Sequence, residues 1–351
     1  MRFSEIIEQQ QLKDHVQHAL RTGRVSHAML FSGDEGMGKK MFARTFAQAI
    51  LCENRQDAGG MIEPCGECHS CVMAMAGTHP DLRELVHEKA TYGVDEIRSQ
   101  LVSDIELKPM HGDYRIYIIP EADGMNPASQ NALLKTLEEP PAYAVIMLLA
   151  ERPQALLQTI LSRTVELPLR PVHDEAIERF LMEKQRVPDY RAHECAAFAA
   201  GNVGRAIRFC GDDSFRNMVD GTASLLGEMD RLTTADIMER IGRILFPDAE
   251  QETGKEKKKK GLKEAGSREL GRFLDLLLML NRDAMVYKAT GESGRLVFAA
   301  QEAYDRKAAQ RSWEALYKNI ARIEQARERL AANVNTDMTM ELLLLGMKNE
   351  V

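Results

Sequence analysis

Ala28-Met29-Leu30-Phe31-Ser32-Gly33-Asp34-Glu35-Gly36-Met37-Gly38-Lys39-Lys40 is the stretch that decides the fold. The apolar run Ala28 to Phe31 is a short strand, glycines break it, and Met41 to Leu51 resumes with helical apolar spacing. Strand, glycine loop and helix, in that order, are the setting in which G-x-x-x-x-G-K cradles phosphate. The glycines Gly33, Gly36 and Gly38 let backbone N–H groups turn inward. The helix N-terminus adds a favourable dipole, and Lys39 adds a point charge.

Working outward, Ile116 to Ile119 is a second apolar run, followed by a polar turn and a helix from Ala128 to Glu138 that Pro140-Pro141 stops. A third run, Val145 to Leu149, has the length and β-branching of a buried strand. Upstream, Ile6, Leu12, Val16 and Leu20 carry helical spacing. Strands alternating with helices predict an α/β domain over residues 1–170, with a parallel sheet covered by helices on both faces. The helical stretch from Asp174 to about Cys210 is too short for its own core, so 171–211 is expected to form a lid. From 212 to 351 the pattern is helical throughout. Phe273, Leu277, Leu280, Ala284 and Tyr287 form one stripe, and Trp313, Leu316, Ile320, Ile323, Ala326 and Leu330 form another. Both are expected to face the core of an all-α bundle. Within that region, residues 249–266 hold Lys255-Glu256-Lys257-Lys258-Lys259-Lys260-Gly261, whose charge density predicts a solvated loop.

The chain of 351 residues is 44% hydrophobic and 28% charged, enough for two or three domains. Its net charge of −7 argues against wholesale adhesion to nucleic acid and confines any such contact to local patches or partners. Glu5 and Glu8 interrupt the N-terminal apolar residues, so no signal peptide is read there, and no apolar run is long enough to span a membrane. A cytoplasmic location is expected, and in a reducing compartment clustered cysteines are metal ligands before they are disulfides. Cys52, Cys65, Cys68 and Cys71 are spaced so that four thiolates converge on one ion, a closed structural zinc shell with Gly66 in the tight turn. Cys195 and Cys210, far away in sequence, are expected to be small buried apolar residues.

The phosphate loop lacks its usual metal partners. Where a Ser or Thr hydroxyl holds Mg²⁺ this chain has Lys40, and where a later strand ends in a metal-binding Asp it has Pro120. Glu121, the next residue, retains a carboxylate that can orient water. Two lesions in one site predict a lost Mg²⁺ site and a weak or absent ATPase, with ATP binding without hydrolysis still allowed by Gly36, Gly38 and Lys39.

Asn131-Ala132-Leu133-Leu134-Lys135-Thr136-Leu137-Glu138-Glu139-Pro140-Pro141 resembles the corresponding stretch of bacterial DNA polymerase III clamp-loader subunits, the gamma/tau and delta-prime group of AAA+ proteins. His27-Ala28-Met29-Leu30-Phe31 is similar to their first strand, and the four cysteines to their zinc module. Thr159-Ile160-Leu161-Ser162-Arg163-Thr164 resembles their S-R-C motif, with Thr164 in place of Cys. The resemblance implies that Arg163 acts in trans on a neighbouring subunit's ATP. Gly201-Asn202-Val203-Gly204-Arg205-Ala206 is similar to the lid segment that carries a sensor-2 arginine, which implies that role for Arg205. Asn333-Val334-Asn335 through Leu345 looks like the end of the C-terminal oligomerisation domain. A sensor-1 Thr or Asn is replaced by Ala150 or Glu151. Departures at Lys40, Pro120 and the sensor-1 position, with Arg163 kept, imply a delta-prime-type, non-motor subunit; the alternative is an active gamma/tau-type ATPase. The implied fold is an AAA+ module with a helical lid, followed by an all-α collar. The implied partners are gamma/tau and delta subunits, the sliding clamp and, through the complex, primed DNA.

Overall fold

In the computed structural model, which describes residues 1–87, 92–246, 267–332 and 334–348, the three apolar runs are the central strands of a five-stranded sheet. Helix α1 (Gln10–Thr22) precedes strand β1 (Ala28–Ser32), and α2 (Lys39–Leu51) follows the glycine loop. A hairpin of β2 (Gln56–Ala58) and β3 (Met61–Glu63), then α3 (His69–Ala76), lead to β4 (Leu82–Glu84) and α4 (Val94–Ile97). Then come β5 (Arg115–Ile119), α5 (Pro127–Glu138), β6 (Ala144–Ala150), α6 (Gln158–Leu161) and β7 (Val165–Pro168). The order across the sheet is β4-β5-β6-β1-β7, and every pairing is parallel.

Side-chain alternation accounts for the unbroken apolar runs. Met29 and Phe31 of β1, Ile118 of β5 and Met147 of β6 enter the core under α1 and α2, with Val16, Phe42 and Phe46. Leu30, Ile119 and Leu148 point to the opposite face, against Leu133 and Leu137 of α5 and Ile160 of α6. A strand covered on both sides favours apolar side chains along its length, and the buried polar residues Arg115 of β5 and Ser32 of β1 stand at strand ends. The two flanking strands, β4 and β7, are short and partly exposed, and no apolar run marks them in the sequence.

The remaining helices are α7 (Asp174–Gln185), α8 (Asp189–Ala199), α9 (Val203–Gly211), α10 (Asp213–Glu228), α11 (Thr234–Leu245), α12 (Ser267–Thr290), α13 (Glu302–Ala308), α14 (Trp313–Ala331) and α15 (Thr336–Lys348). The chain divides into two compact units, Met1–Gln185 with Ala200–Arg205, and Arg186–Ala199 with Ala206–Val351. Within the second unit, Phe198, Phe209 and Phe215 form an aromatic cluster with ring centroids 4.5–4.9 Å apart. Phe273, Leu277, Leu280 and Ala284 are buried as a stripe, and so are Leu316, Ile323 and Ala326. Trp313 is a correction: it opens α14 at its solvent edge, 42% exposed, with the Lys288 ammonium 5.7 Å above its ring. Tyr287, Ile320 and Leu330 are only half-buried. The Lys-rich segment 249–266 and Asn333 lie outside the described residues. Among the described residues, no helix is long and apolar enough to cross a membrane.

Candidate functional site

The glycine loop starts where β1 ends, and Gly33 N–H donates to Ala150 O of β6 at 3.2 Å. Gly38, at φ 94°, is the N-cap of α2, a backbone conformation that disfavours any side chain. The Lys39 ammonium donates to the loop's own carbonyls, Gly33 O and, at 3.0 Å, Asp34 O. Burial lowers its pKa against the opposing pull of Glu151, Asp123, Asp34 and Glu35. Lys40 turns away from the loop to Glu84 on β4, and Arg44 joins it there with Nε 2.9 Å from Glu84 Oε2.

The end of β5 carries the second lesion. Pro120 follows Ile119, and Glu121 adopts a left-handed backbone at φ 48° with its exposed carboxylate 3.6 Å from His87 Nε2. The carboxylate that does tie the C-terminal ends of β5 and β6 together is Asp123, which accepts the N–H groups of Glu151 and Arg152, both at 3.2 Å. No motif or spacing in the sequence singles it out.

Gly201 to Arg205 lies against the phosphate loop. Asn202 Nδ2 donates to Glu35 O at 2.7 Å and Gly204 N to Gly36 O at 3.0 Å. Asn202 Oδ1 also accepts the Arg205 N–H at 2.9 Å, capping the start of α9. The two motifs, well separated in sequence, are thus brought together by the Asn202 side chain and the Gly204 backbone. Arg163 stands elsewhere on this unit, at the turn after α6. Its Nη2 is 2.8 Å from Glu138 Oε1, and Nη1 donates to Thr159 O at 3.0 Å.

The four cysteines converge. Their sulfurs lie within 4.8 Å of one another, with Cys52–Cys65 at 3.6 Å and Cys65–Cys71 at 3.9 Å. A tetrahedral zinc shell with ~2.3 Å bonds needs sulfurs about 3.8 Å apart, so the donor set fits such an ion. Cys52 leaves the end of α2, Cys65 and Gly66 form a turn with Gly66 at φ 79°, and Cys68 is the N-cap of α3. Backbone donors point at the sulfurs: Cys65 N at Cys52, Glu67 N and Cys68 N at Cys65, and Cys71 N at Cys68. The two donors from Glu67 and Cys68 hold the Cys65 thiol down at about 6, whereas burial pushes Cys71 up to about 12. A cation arriving here must displace protons from buried thiols. Cys195 and Cys210 lie in the other unit. Cys195 is buried as expected, while Cys210 is only half-buried, and each thiol shifts the other's pKa by hydrogen bonding, that of Cys195 upward and that of Cys210 downward.

The neighbourhood of the cluster is itself tied down. Glu63 of β3 accepts Phe3 N at 2.7 Å and Ser4 N at 2.8 Å, and the Gln17 amide bridges both backbone groups of Ile62. Gln17 acts there as a substitute strand for an exposed β edge.

Residues 8–173 match the family model described as DNA polymerase III, delta subunit. The chain is 29% identical to DNA polymerase III subunit delta-prime of Bacillus subtilis over 331 residues, 94% of this chain and 93% of that protein. It belongs to the family of DNA polymerase III clamp-loader subunits. The tau/gamma subunit of Haemophilus influenzae is 32% identical over 67% of this chain, and the B. subtilis tau subunit is 35% identical over 50%. This clamp-loader chain spans only 35% and 30% of those longer relatives. A solved gamma-subunit-related protein of Thermotoga maritima aligns with 95% of this chain and 99% of its own at 17% identity, with a TM-score of 0.42, too low to carry an argument. The family model ends at 173, so it covers the phosphate loop, the cysteines and Arg163 but not Arg205.

Proposed function

We propose that this chain is the delta-prime-type, non-motor subunit of its clamp loader. It sits in a ring with gamma/tau and delta subunits and helps open the sliding clamp onto primed DNA in the cytoplasm. Its zinc is structural, its own ATP turnover is absent, and Arg163 serves the ATP site of a neighbour. The observation that carries this reading is Lys40. At the position of the magnesium-binding hydroxyl stands an ammonium drawn to Glu84, and the opposing Asp is Pro120. Magnesium would supply charge stabilisation to a transferred phosphoryl group, and these residues offer it neither ligand. Lys39 is left to bind the loop's own carbonyls.

Arg163 is the retained chemistry. It lies at a turn, its side chain about one-third exposed, with a planar fork of donors suited to phosphoryl oxygens. Arg205, whose backbone is fixed by Asn202, is the proposed sensor-2 position.

The test reconstitutes the complex with wild-type motor subunits and compares Arg163→Ala with wild type. The ATP site served by Arg163 should fall silent, since trans-acting arginines are worth about 10³–10⁵ in rate in GTPases. DNA-dependent turnover should then drop by that site's share, and clamp loading with it. Unchanged rates would remove the trans role. Magnesium-dependent hydrolysis by this chain alone would favour the gamma/tau-type reading instead.

A further inference from the structure

The Arg163 guanidinium is held from two sides by its own chain. On one side α5 ends on Glu138, whose Oε1 lies 2.8 Å from Nη2. On the other, Nη1 donates to Thr159 O at 3.0 Å and to Ser162 Oγ at 3.3 Å, and Ser162 Oγ itself donates to Thr159 O at 3.1 Å. The two sides are fixed from below. Leu133 and Leu137 of α5 share one core with Ile160 of α6, and the Arg163 N–H donates to Ile160 O at 3.0 Å. Among the described residues, all the hydrogen bonds of this guanidinium are made by Nη1, so its tie to Glu138 is one of charge. A guanidinium has five N–H groups. Those on Nε and Nη2 are therefore left for an acceptor outside this chain, on a side chain about one-third exposed.

We propose that Glu138 is the positioning residue for Arg163, holding the guanidinium so that its Nε and Nη2 edge faces the phosphoryl oxygens of a neighbour's ATP. The inference rests on the trans reading of Arg163. An arginine on a turn has many rotamers, and a misplaced donor loses much of its effect on a transferred phosphoryl group. The Thr159 and Ser162 oxygens fix one end of the planar fork, and the carboxylate of Glu138 fixes its swing. A carboxylate near phosphate also repels it. Screening weakens that repulsion, because Glu138 is half-exposed and stands one guanidinium farther from the phosphate than the arginine does. Orientation is therefore the larger effect, and Glu138 acts only through Arg163.

The experiment uses the complex reconstituted with wild-type motor subunits, clamp and primed DNA, and follows ATP hydrolysis before the steady state. The kinetic phase that disappears in Arg163→Ala marks the site this arginine serves. Glu138→Gln keeps the shape and removes the charge. It should slow that phase by about two- to fivefold, the bias an exposed ion pair can supply, with the ATP concentration for half-maximal rate unchanged. Glu138→Asp, which keeps the charge on a shorter arm, should recover part of the rate. The gap between Glu138→Gln and wild type should narrow as salt is raised; a packing role would not narrow it. With Arg163→Ala already in place, Glu138→Gln should leave the remaining phases as they are. A marked phase that runs at the wild-type rate or faster in Glu138→Gln overturns the inference and leaves the trans reading intact. If Arg163→Ala removes no phase, the trans reading fails and the inference falls with it.

Discussion

Arg163 Nη2 and Glu138 Oε1 are 2.8 Å apart, an ion pair that joins the end of α5 to the turn after α6. It links the two motifs on which the family resemblance leans most, and neither motif alone announces it. Both side chains are substantially exposed, at 36% and 48%, so solvent screens the pair and its contribution to folding is at most about 1 kcal/mol. Its effect is directional: with the Thr159 carbonyl, it holds the guanidinium in one orientation. Glu138→Ala and Arg163→Ala should each leave urea stability of the isolated chain within ~1 kcal/mol of wild type. A loss of ~3 kcal/mol or more from Arg163→Ala would mark a structural arginine and take away the basis for a trans role.

The cysteine cluster makes a stronger claim on stability. Metal analysis of chain purified without chelators should find one zinc per chain. Cys71→Ser, at a fully buried position, should release it and destabilise the first unit by several kcal/mol, since structural metal binding is folding free energy. Scanning calorimetry with and without a strong chelator checks this. Zinc-free protein with an unchanged Tm would dispose of the structural-zinc reading.

The sheet was legible because β1, β5 and β6 are buried on both faces, which leaves apolar runs no interruption. The same logic hid β4 and β7: Leu82-Arg83-Glu84 and Val165-Glu166-Leu167-Pro168 are flanking strands whose polar residues are tolerated at the margin. The cysteines and the glycine loop were legible because spacing and conformation dictate residue type. What spacing cannot show is a partner far along the chain. The attraction of Glu84 for Lys40, the grip of Asp123 on residues 151–152 and the seat of Asn202 on the phosphate loop are all side-chain contacts across the fold. Trp313 misled for a related reason, since it continues the stripe of α14 but occupies its first turn, beyond the packed length.

His79, buried between α3 and β4, gives the first unit an acid-sensitive point. Its Nδ1 accepts the Asp81 N–H at 3.0 Å, so the neutral ring keeps its proton on Nε2 and donates to Ser70 Oγ at 2.7 Å. Burial lowers its pKa, with Asp81 only partly opposing. The unfolded chain, with a histidine pKa near ~6.5, takes up a proton before the native state does. The contribution of this ring is therefore complete above that value and is lost as pH falls through it toward the lower native value. Between about pH 7 and 5.5, urea stability of wild type should fall by up to roughly 1 kcal/mol more than that of His79→Asn. Parallel pH profiles would show that the ring stays neutral in both states or charges in both.

Gly204 offers the sharpest test of the contact between the 201–205 segment and the phosphate loop. A Cβ there would lie 2.6 Å from Gly36 O and 2.9 Å from Gly36 Cα, so it would strike backbone, which no rotamer change relieves. The requirement is one of proximity: Gly204 donates to Gly36 O at 3.0 Å, and the side chain of Asn202 reaches Glu35 O alongside. Gly204→Ala should force the segment off the loop and cost about 1–3 kcal/mol, the range for overpacking. Amide exchange at Gly204 and Arg205 should accelerate, and protease cuts should appear near the loop. Gly211→Ala is the control, because a Cβ at that position, the end of α9, would meet nothing within 4 Å, and alanine there should be neutral or stabilising by up to ~1 kcal/mol. Equal stability and equal exchange in Gly204→Ala and wild type would mean that the segment stands off the loop in solution, and that Lys39 alone closes it.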